Sequence, residues 1–408
     1  MIKKIKVEQL MPGVFVHDFN CGWLHHPFLA DRTKLKTGKD IDKVVKYGIR
    51  ELYIDTEKGL DVDDAPTQTE TREKIQAEIA KLSGQPAKRG DRSLFKDEIA
   101  RARQLIGEVK EATKKLMHDT RLGKRMDIEQ VDGLVDRMSD SVLNDKDALV
   151  SLLRIKNVDE YTYLHSMAVS ALCMSFTQGL GFDAAQVKQI GIGGLLHDIG
   201  KMRVPNEILN KPGPLTEKEF EIMKQHVKAG EAVLREYTSL DESCTCVTSH
   251  HHERLDGTGY PEGLKGDEIS LSGQIAAIVD IYDALSSERC YKKAMFPTSA
   301  LSKLFEWSRS YLNRDLVEKF IAHLGIYPIG TLVRLENHLV GVVVDHGEKD
   351  LLHPVVRAVV DARKAKPITP VDIDLARQFS AGQSYGIVAC ESPGKMEDPA
   401  GRLSVVIR

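Results

Sequence analysis

GIGGLLHDIGK, residues 191–201, brings the adjacent pair His197–Asp198 to the end of an apolar, glycine-rich run. An α-helix repeats every 3.6 residues, so helical steps back from His197 reach Gly194, Gly193 and Ile190. Four steps forward reach Lys201. On that spacing His197 and Lys201 share a face, and the glycines leave room there for another helix or a ligand. Asp198 lies one position round. Such a pair can offer an imidazole to one cation and a carboxylate that bridges to a second.

Three further helical stretches carry candidates. DEYTYLHSMAVS (159–170) gives His165, with Asp159 and Glu160 near the helix start. EFEIMKQHVKAG (219–230) sets His226 beside apolar Met223 and Val227. QIAAIVDIYDAL (274–285) places Asp280 inside an apolar helix, where an unpaired carboxylate is costly to bury. Taken singly, each is ordinary: hydrogen-bonded core histidines and helix-pairing aspartates are common. Together they ask for a shared purpose. TSHHHERLDGTGYPEGLKG (248–266) adds three consecutive histidines followed by a loop rich in glycine. Neighbouring imidazoles on a non-helical turn can converge on one ion. The DGTGYP segment lets the backbone turn sharply after them through positive φ, and Pro261 stiffens its exit.

The surrounding chain sets limits. Its 408 residues exceed one typical core, and its 42% hydrophobic and 29% charged residues are those of a soluble globular protein. A net charge of −3 gives no basic field for a nucleic-acid polymer. No apolar run approaches the roughly 18–20 residues needed to span a bilayer, so no membrane insertion is expected. The basic opening MIKKIKVEQLMPG has no apolar core of a signal peptide, which points to the cytoplasm. The six scattered cysteines do not form a disulfide framework, and Cys244 and Cys246 read as free thiols.

The expected fold is multidomain and mainly α-helical. Residues 1–58 read as a small α+β domain, and 59–92 as a charged linker, helical at most in part. Residues 93–144 form a helical segment in which Phe95, Ile99, Ala102, Ile106, Val109 and Leu116 follow a period near 3.5. That seam is either one face of a bundle or a homodimer contact. Residues 145–325 read as a helix-bundle core; within it LTEKEFEIMKQH offers Thr216 and Glu219 as a capping box. Residues 326–408 turn to β-branched runs separated by turns, a small β-rich appendage.

Residues 159–293 resemble an HD-GYP domain, the bacterial cyclic di-GMP phosphodiesterase branch of the HD metal-hydrolase superfamily. The resemblance is carried by LLHDIGK, ILNKPGPLTEKE, HHERLDGTGYPEGLKGDEI and IVDIYDALSSERCYK. Residues before about 60 resemble the small domain often found ahead of such modules. The resemblance implies that His165, His197, Asp198 and Asp280 hold one metal. Asp198 would bridge to a second metal, completed by His226, His251 and His252, which leaves His250 as the spare histidine. It further implies that Lys201 sits by the bridging water and the phosphate, and that Arg289 and Lys292 grip the substrate phosphates. Asp159 joins Lys201 and Asp198 among the catalytic candidates, and Gly259, Tyr260 and Pro261 are carried as substrate-binding. Cys290 stands where the family usually has proline. Some members bind a third metal through a glutamate one turn before the first histidine. Here that position is Tyr161, so two metals are expected, with Glu160 as the candidate for a third.

Nitrogen and carboxylate donors around a bridging aspartate suit iron or manganese better than a closed tetrahedral zinc site. The implied reaction is hydrolysis of cyclic di-GMP to linear pGpG, continuing to GMP or stopping there. Two other readings stand beside it. One is a weakly active module serving as nucleotide receptor or as docking partner of diguanylate cyclase (GGDEF) domains through the GYP loop. The other is a hydrolase for a different cyclic dinucleotide.

Overall fold

The computed structural model describes residues 1–21, 32–82, 92–153, 161–287, 294–347, 350–364, 366–380 and 386–391. The chain opens with strands β1 (Ile2–Lys6), β2 (Phe15–Asp18) and β3 (Thr33–Lys34), helix α1 (Gly38–Lys46) and strand β4 (Glu51–Asp55). They form an antiparallel sheet ordered β1-β4-β2-β3. Alternate residues Ile5, Val16, Leu52 and Ile54 meet Leu35 and Val44 in its core. This is the small α+β unit expected from the sequence.

Inside the stretch read as a charged linker lies helix α2 (Gln68–Lys81). Thr67 and Glu70 cap its start reciprocally. Thr71, Ile75 and Ile79, four apart, turn one buried stripe onto the helical core. Three apolar-facing positions among many charges suffice when a preformed core receives them.

The bundle follows: α3 (Arg92–Arg121), α4 (Ile128–Asn144), α5 (Lys146–Leu153), α6 (Tyr161–Gly179), α7 (Ala184–Leu196), α8 (Asn206–Leu209), α9 (Glu217–Leu234), α10 (Glu242–His250), α11 (Leu271–Ser286), α12 (Pro297–Trp307) and α13 (Arg314–Leu324). The α3 seam is spent within the chain. Ile99, Ala102, Val109 and Leu116 are buried against α4, α5 and α6, with Ile106 partly covered. The Phe95 side chain lies outside the described residues. Thr216 and Glu219 form the capping box read at the head of α9.

The glycines before His197 make room for helices. A Cβ on Gly193 would stand 2.7 Å from the Cys244 carbonyl oxygen of α10, and one on Gly194 would stand 2.8 Å from the Cα of Ser170 on α6. The Ser170 hydroxyl donates to the Gly191 carbonyl at 2.7 Å across the same contact. Three helices therefore meet closely where His197 emerges.

Strands β5 (Leu332–Leu335), β6 (Leu339–Asp345), β7 (Val355–Asp361) and β8 (Lys366–Asp374), helix α14 (Leu375–Ser380) and strand β9 (Ile387–Cys390) form the C-terminal unit. Its antiparallel order is β8-β7-β6-β5-β9. His346 docks this unit on the bundle through an ion pair with Asp147 at 3.4 Å. Among the described residues no helix is long and apolar enough to cross a membrane.

Candidate metal centre

The α-helix carrying the glycines ends at Leu196, with His197 as its C-cap, and Ile199–Arg203 continue as a 3-10 helix. The expectation that His197 and Lys201 share an α-helical face is thus corrected. In the tighter coil Lys201 falls under Asp198 instead, and its ammonium stands 2.5 Å from Asp198 Oδ2.

Asp198 is the centre of the site, and its two oxygens face opposite ways. Oδ2 lies 3.2 Å from His197 Nε2 and 4.0 Å from His165 Nε2, while Oδ1 lies 3.4 Å from His226 Nε2 and 3.9 Å from His251 Nε2. His165 on α6, His197 and Asp280 on α11 gather on one side; His226 on α9, His251 and His252 gather with Asp198 on the other. Within each group, donor atoms lie within 4.8 Å of one another. All seven residues named from the sequence as ligands meet here.

Hydrogen bonds orient the rings. His197 Nδ1 donates to Gly194 O at 2.8 Å, His226 Nδ1 to Met223 O at 2.7 Å and His251 Nδ1 to Thr248 O at 2.8 Å. Each uses the carbonyl three residues earlier, His197 and His251 at the C-caps of their helices and His226 in the middle of α9. Donation from Nδ1 leaves the Nε2 lone pair pointing inward. Burial pushes the His226 imidazole down to about 4 and that of His251 down to about 3, so both rings are neutral at pH 7. Burial opposes charge on Asp198, yet His197 and Lys201 hold its carboxyl well below the usual range.

Such an interior is expensive without a cation. Nε2 of His197, His226 and His251 and Oδ1 of Asp198 are buried and make no hydrogen bond. Buried acceptors aimed at one another cost desolvation and gain nothing. The donor set fits two divalent ions sharing one carboxylate.

Two residues not singled out in the sequence complete the architecture. Asp283, one turn beyond Asp280 on α11, accepts from His165 Nδ1 at 2.7 Å, while Asp280 faces His165 Nε2 at 3.1 Å. The spacing of three in VDIYDAL was the available signal. Glu253 turns away from the ligands: its Oε1 accepts from the amides of Glu262 and Gly263, and its Oε2 from that of Leu264, at 2.8–3.1 Å. It staples the glycine loop closed.

That loop folds back on the histidines. The Tyr260 amide donates to the His252 carbonyl at 3.1 Å, and the Tyr260 ring centroid lies 4.7 Å from that of His252. Tyr260 is buried, so it is no surface turn. Gly257 takes a φ of +80°. Gly259 is instead required by close packing, since a Cβ there would overlap the backbone of Glu253 and Arg254. His250 closes α10 and points elsewhere, its Nδ1 3.1 Å from the Ser270 hydroxyl. Asp159, Glu160, Arg289 and Lys292 lie outside the described residues.

Two family models match the chain: "Domain of unknown function (DUF3391)" over residues 2–131 and "HD domain" over residues 138–316. A cyclic di-GMP phosphodiesterase of Pseudomonas aeruginosa is 38% identical over 393 residues, covering 96% of this chain and 92% of that protein. A 3′3′-cGAMP-specific phosphodiesterase of Vibrio cholerae is 32% identical over 292 residues, covering 70% of this chain and 59% of that protein. Among solved structures, an HDG"Y"P protein from Bdellovibrio bacteriovorus aligns with a TM-score of 0.47 at 18% identity, covering 78% of this chain and 98% of that one.

Proposed function

We propose, from the premise that the chain belongs to the HD-GYP branch of the HD-domain family, that it is a metal-dependent phosphodiesterase acting on cyclic di-GMP. The chemistry rests on one observation: two groups of inward-facing donors that share the carboxylate of Asp198. The substrate rests on likeness along nearly the whole chain to a cyclic di-GMP phosphodiesterase.

In this reading His165, His197, Asp280 and Asp198 would hold one divalent ion, and Asp198, His226, His251 and His252 would hold the other. Iron or manganese suits the mixed nitrogen and oxygen donors. When bound, the pair supplies the Lewis acidity that polarises a phosphodiester and makes water nucleophilic at neutral pH. Lys201, on the partly open side of Asp198, sets a positive charge against the phosphoryl oxygens and the leaving 3′-oxygen. Tyr260 backs the His252 ring and restricts its rotation. Arg289 and Lys292 take the substrate phosphates, Asp159 joins the catalytic groups, and Glu160 is the candidate for a third ion. The product is linear pGpG, with GMP a later step. A GGDEF partner docking on the glycine loop would share it with the N-terminal domain, whose Arg50 already reaches Asp256 at 3.4 Å.

The test is incubation of manganese- or iron-loaded protein with cyclic di-GMP and 3′3′-cGAMP, with products resolved by chromatography. Cyclic di-GMP should turn over faster, and Asp198→Ala should lose both metal and turnover, because one carboxylate serves both groups. Full activity in that variant, or in protein stripped of metal, would sink the two-metal reading. Preference for 3′3′-cGAMP would move the substrate without moving the mechanism.

A further inference from the structure

We propose that the cavity between the N-terminal domain and the back of the glycine loop binds a small phosphate-bearing ligand, with Arg254 as its anchor. The cavity has a volume of about 450 Å³, within the range of small-molecule sites. Arg254, Arg50, Lys6 and Arg309 all line it.

Arg254 carries the argument. It is only 7% exposed, yet among the described residues no carboxylate pairs with it. Its guanidinium lies over the Tyr311 ring at 4.7 Å and makes one long contact, 3.4 Å, to the Thr258 hydroxyl. A buried cation without a counter-ion is costly, and this one borders an open cavity. Of the three acids that line the cavity, Glu8 is exposed at the surface and the other two are engaged. Glu306 is held by Lys4 at 2.7 Å and by the Tyr53 hydroxyl at 2.8 Å, and Glu51 by Lys4 at 2.5 Å. Lys6, exposed on the rim, has no carboxylate partner among the described residues either. The paired N–H donors of a guanidinium and a lysine ammonium lining one cavity suit an anionic phosphate group rather than an apolar ligand.

The position gives such a ligand a consequence. Arg254 follows His252 by two residues and adjoins Glu253, the staple of the loop. Arg50 ion-pairs with Asp256, and the turn at Gly48, with φ +70°, packs so closely on Thr258 that a Cβ would overlap it. A ligand there touches the N-terminal domain and the loop that carries His252 and Tyr260 on its other face.

Calorimetric titration of the metal-loaded full chain with inorganic phosphate, GMP and guanosine tests this, and binding as readout keeps it separate from the catalytic reading. Phosphate and GMP should each show a binding event that Lys6→Glu weakens about tenfold, with bound metal unchanged; guanosine should show none. Phosphate bound at the metal centre would persist in that variant. Tighter binding of GMP than of phosphate would assign a nucleotide, and equal binding a free phosphate. Arg254→Gln should abolish the event. Should that buried substitution fail to fold, the exposed Lys6→Glu decides alone. Binding unchanged in Lys6→Glu, or guanosine bound as well as GMP, overturns the proposal.

Discussion

Replacing Asp283 asks whether the metal centre depends on a residue that reaches no ion. Asp283 Oδ2 accepts the Nδ1 proton of His165 at 2.7 Å, and both side chains are almost fully buried. The carboxylate does two things there. It holds the ring with Nδ1 toward Asp283 and Nε2 toward Asp280, and its charge makes the imidazole a stronger donor. Asp283→Asn keeps an acceptor but removes the charge. Asp283→Leu removes both and leaves Nδ1–H unsatisfied, with the ring free to turn. Losing such an outer partner typically weakens metal affinity about 10- to 100-fold, or about 1.4–2.8 kcal/mol. The charge-only change belongs near the low end and the leucine near the high end. Competitive titration of manganese against a chromophoric chelator measures both, with metal-free melting curves to check folding. Wild-type affinity in a folded Asp283→Leu protein would refute the positioning role. Equal losses in the two variants would show that charge alone matters and that holding the ring adds nothing.

Three other outcomes follow, two from the geometry and one, for Arg289 and Lys292, from the family resemblance. His251→Ala and His252→Ala should lose metal and turnover together, whereas His250→Ala, which gives up only its contact with Ser270 at the head of α11, should cost about 1 kcal/mol of stability; a metal-free, inactive His250→Ala protein would place the ligand register one residue off. Arg289→Ala and Lys292→Ala should raise KM for cyclic di-GMP with metal content unchanged, and a parallel fall in metal would make their role structural. His346→Ala should destabilise the protein by about 1–2 kcal/mol, because it removes the imidazole that faces the Asp147 carboxylate. Burial resists charge on Asp147, but His346 and Lys146 hold its carboxyl down at about 2, below the ordinary 3.8. The stability from that depression is therefore complete above about pH 4 and lost as pH falls toward 2, so urea melts of the two proteins should converge in acid.

The donors were legible because imidazoles and carboxylates inside apolar helices are expensive, and only a common task explains several at once. His165, His226 and Asp280 each interrupt a stripe that would otherwise be core, and the triple histidine has no use in a bare turn. What failed was local geometry. An α-helical count puts Lys201 beside His197, but the chain leaves α geometry at Leu196, and the tighter coil brings Lys201 to Asp198 instead. Helix α2 is the helical part of the stretch read as a linker, and the charges around Ile75 and Ile79 leave its bounds unmarked because its stability comes from the surface it meets.

The supporting residues were harder to read for a different reason. Asp283 and Glu253 act on groups brought to them by other parts of the fold, His165 from α6 and the amides of residues 262–264, so their own sequence neighbourhoods carry little mark of the partnership beyond the spacing of three between Asp280 and Asp283. Arg254 is the extreme case. In sequence it is one charge in a polar loop, where a solvated surface arginine is the ordinary expectation. Only the docking of the N-terminal turn at Gly48 against Thr258, and of Tyr311 beneath the guanidinium, buries that charge and leaves it, among the described residues, without a carboxylate. Residues that share one task impose their chemistry on residue type, so they can be read from the sequence as a set even where each alone is ordinary. A cavity made by two domains imposes nothing on either alone, so its chemistry becomes visible only once both walls are in place.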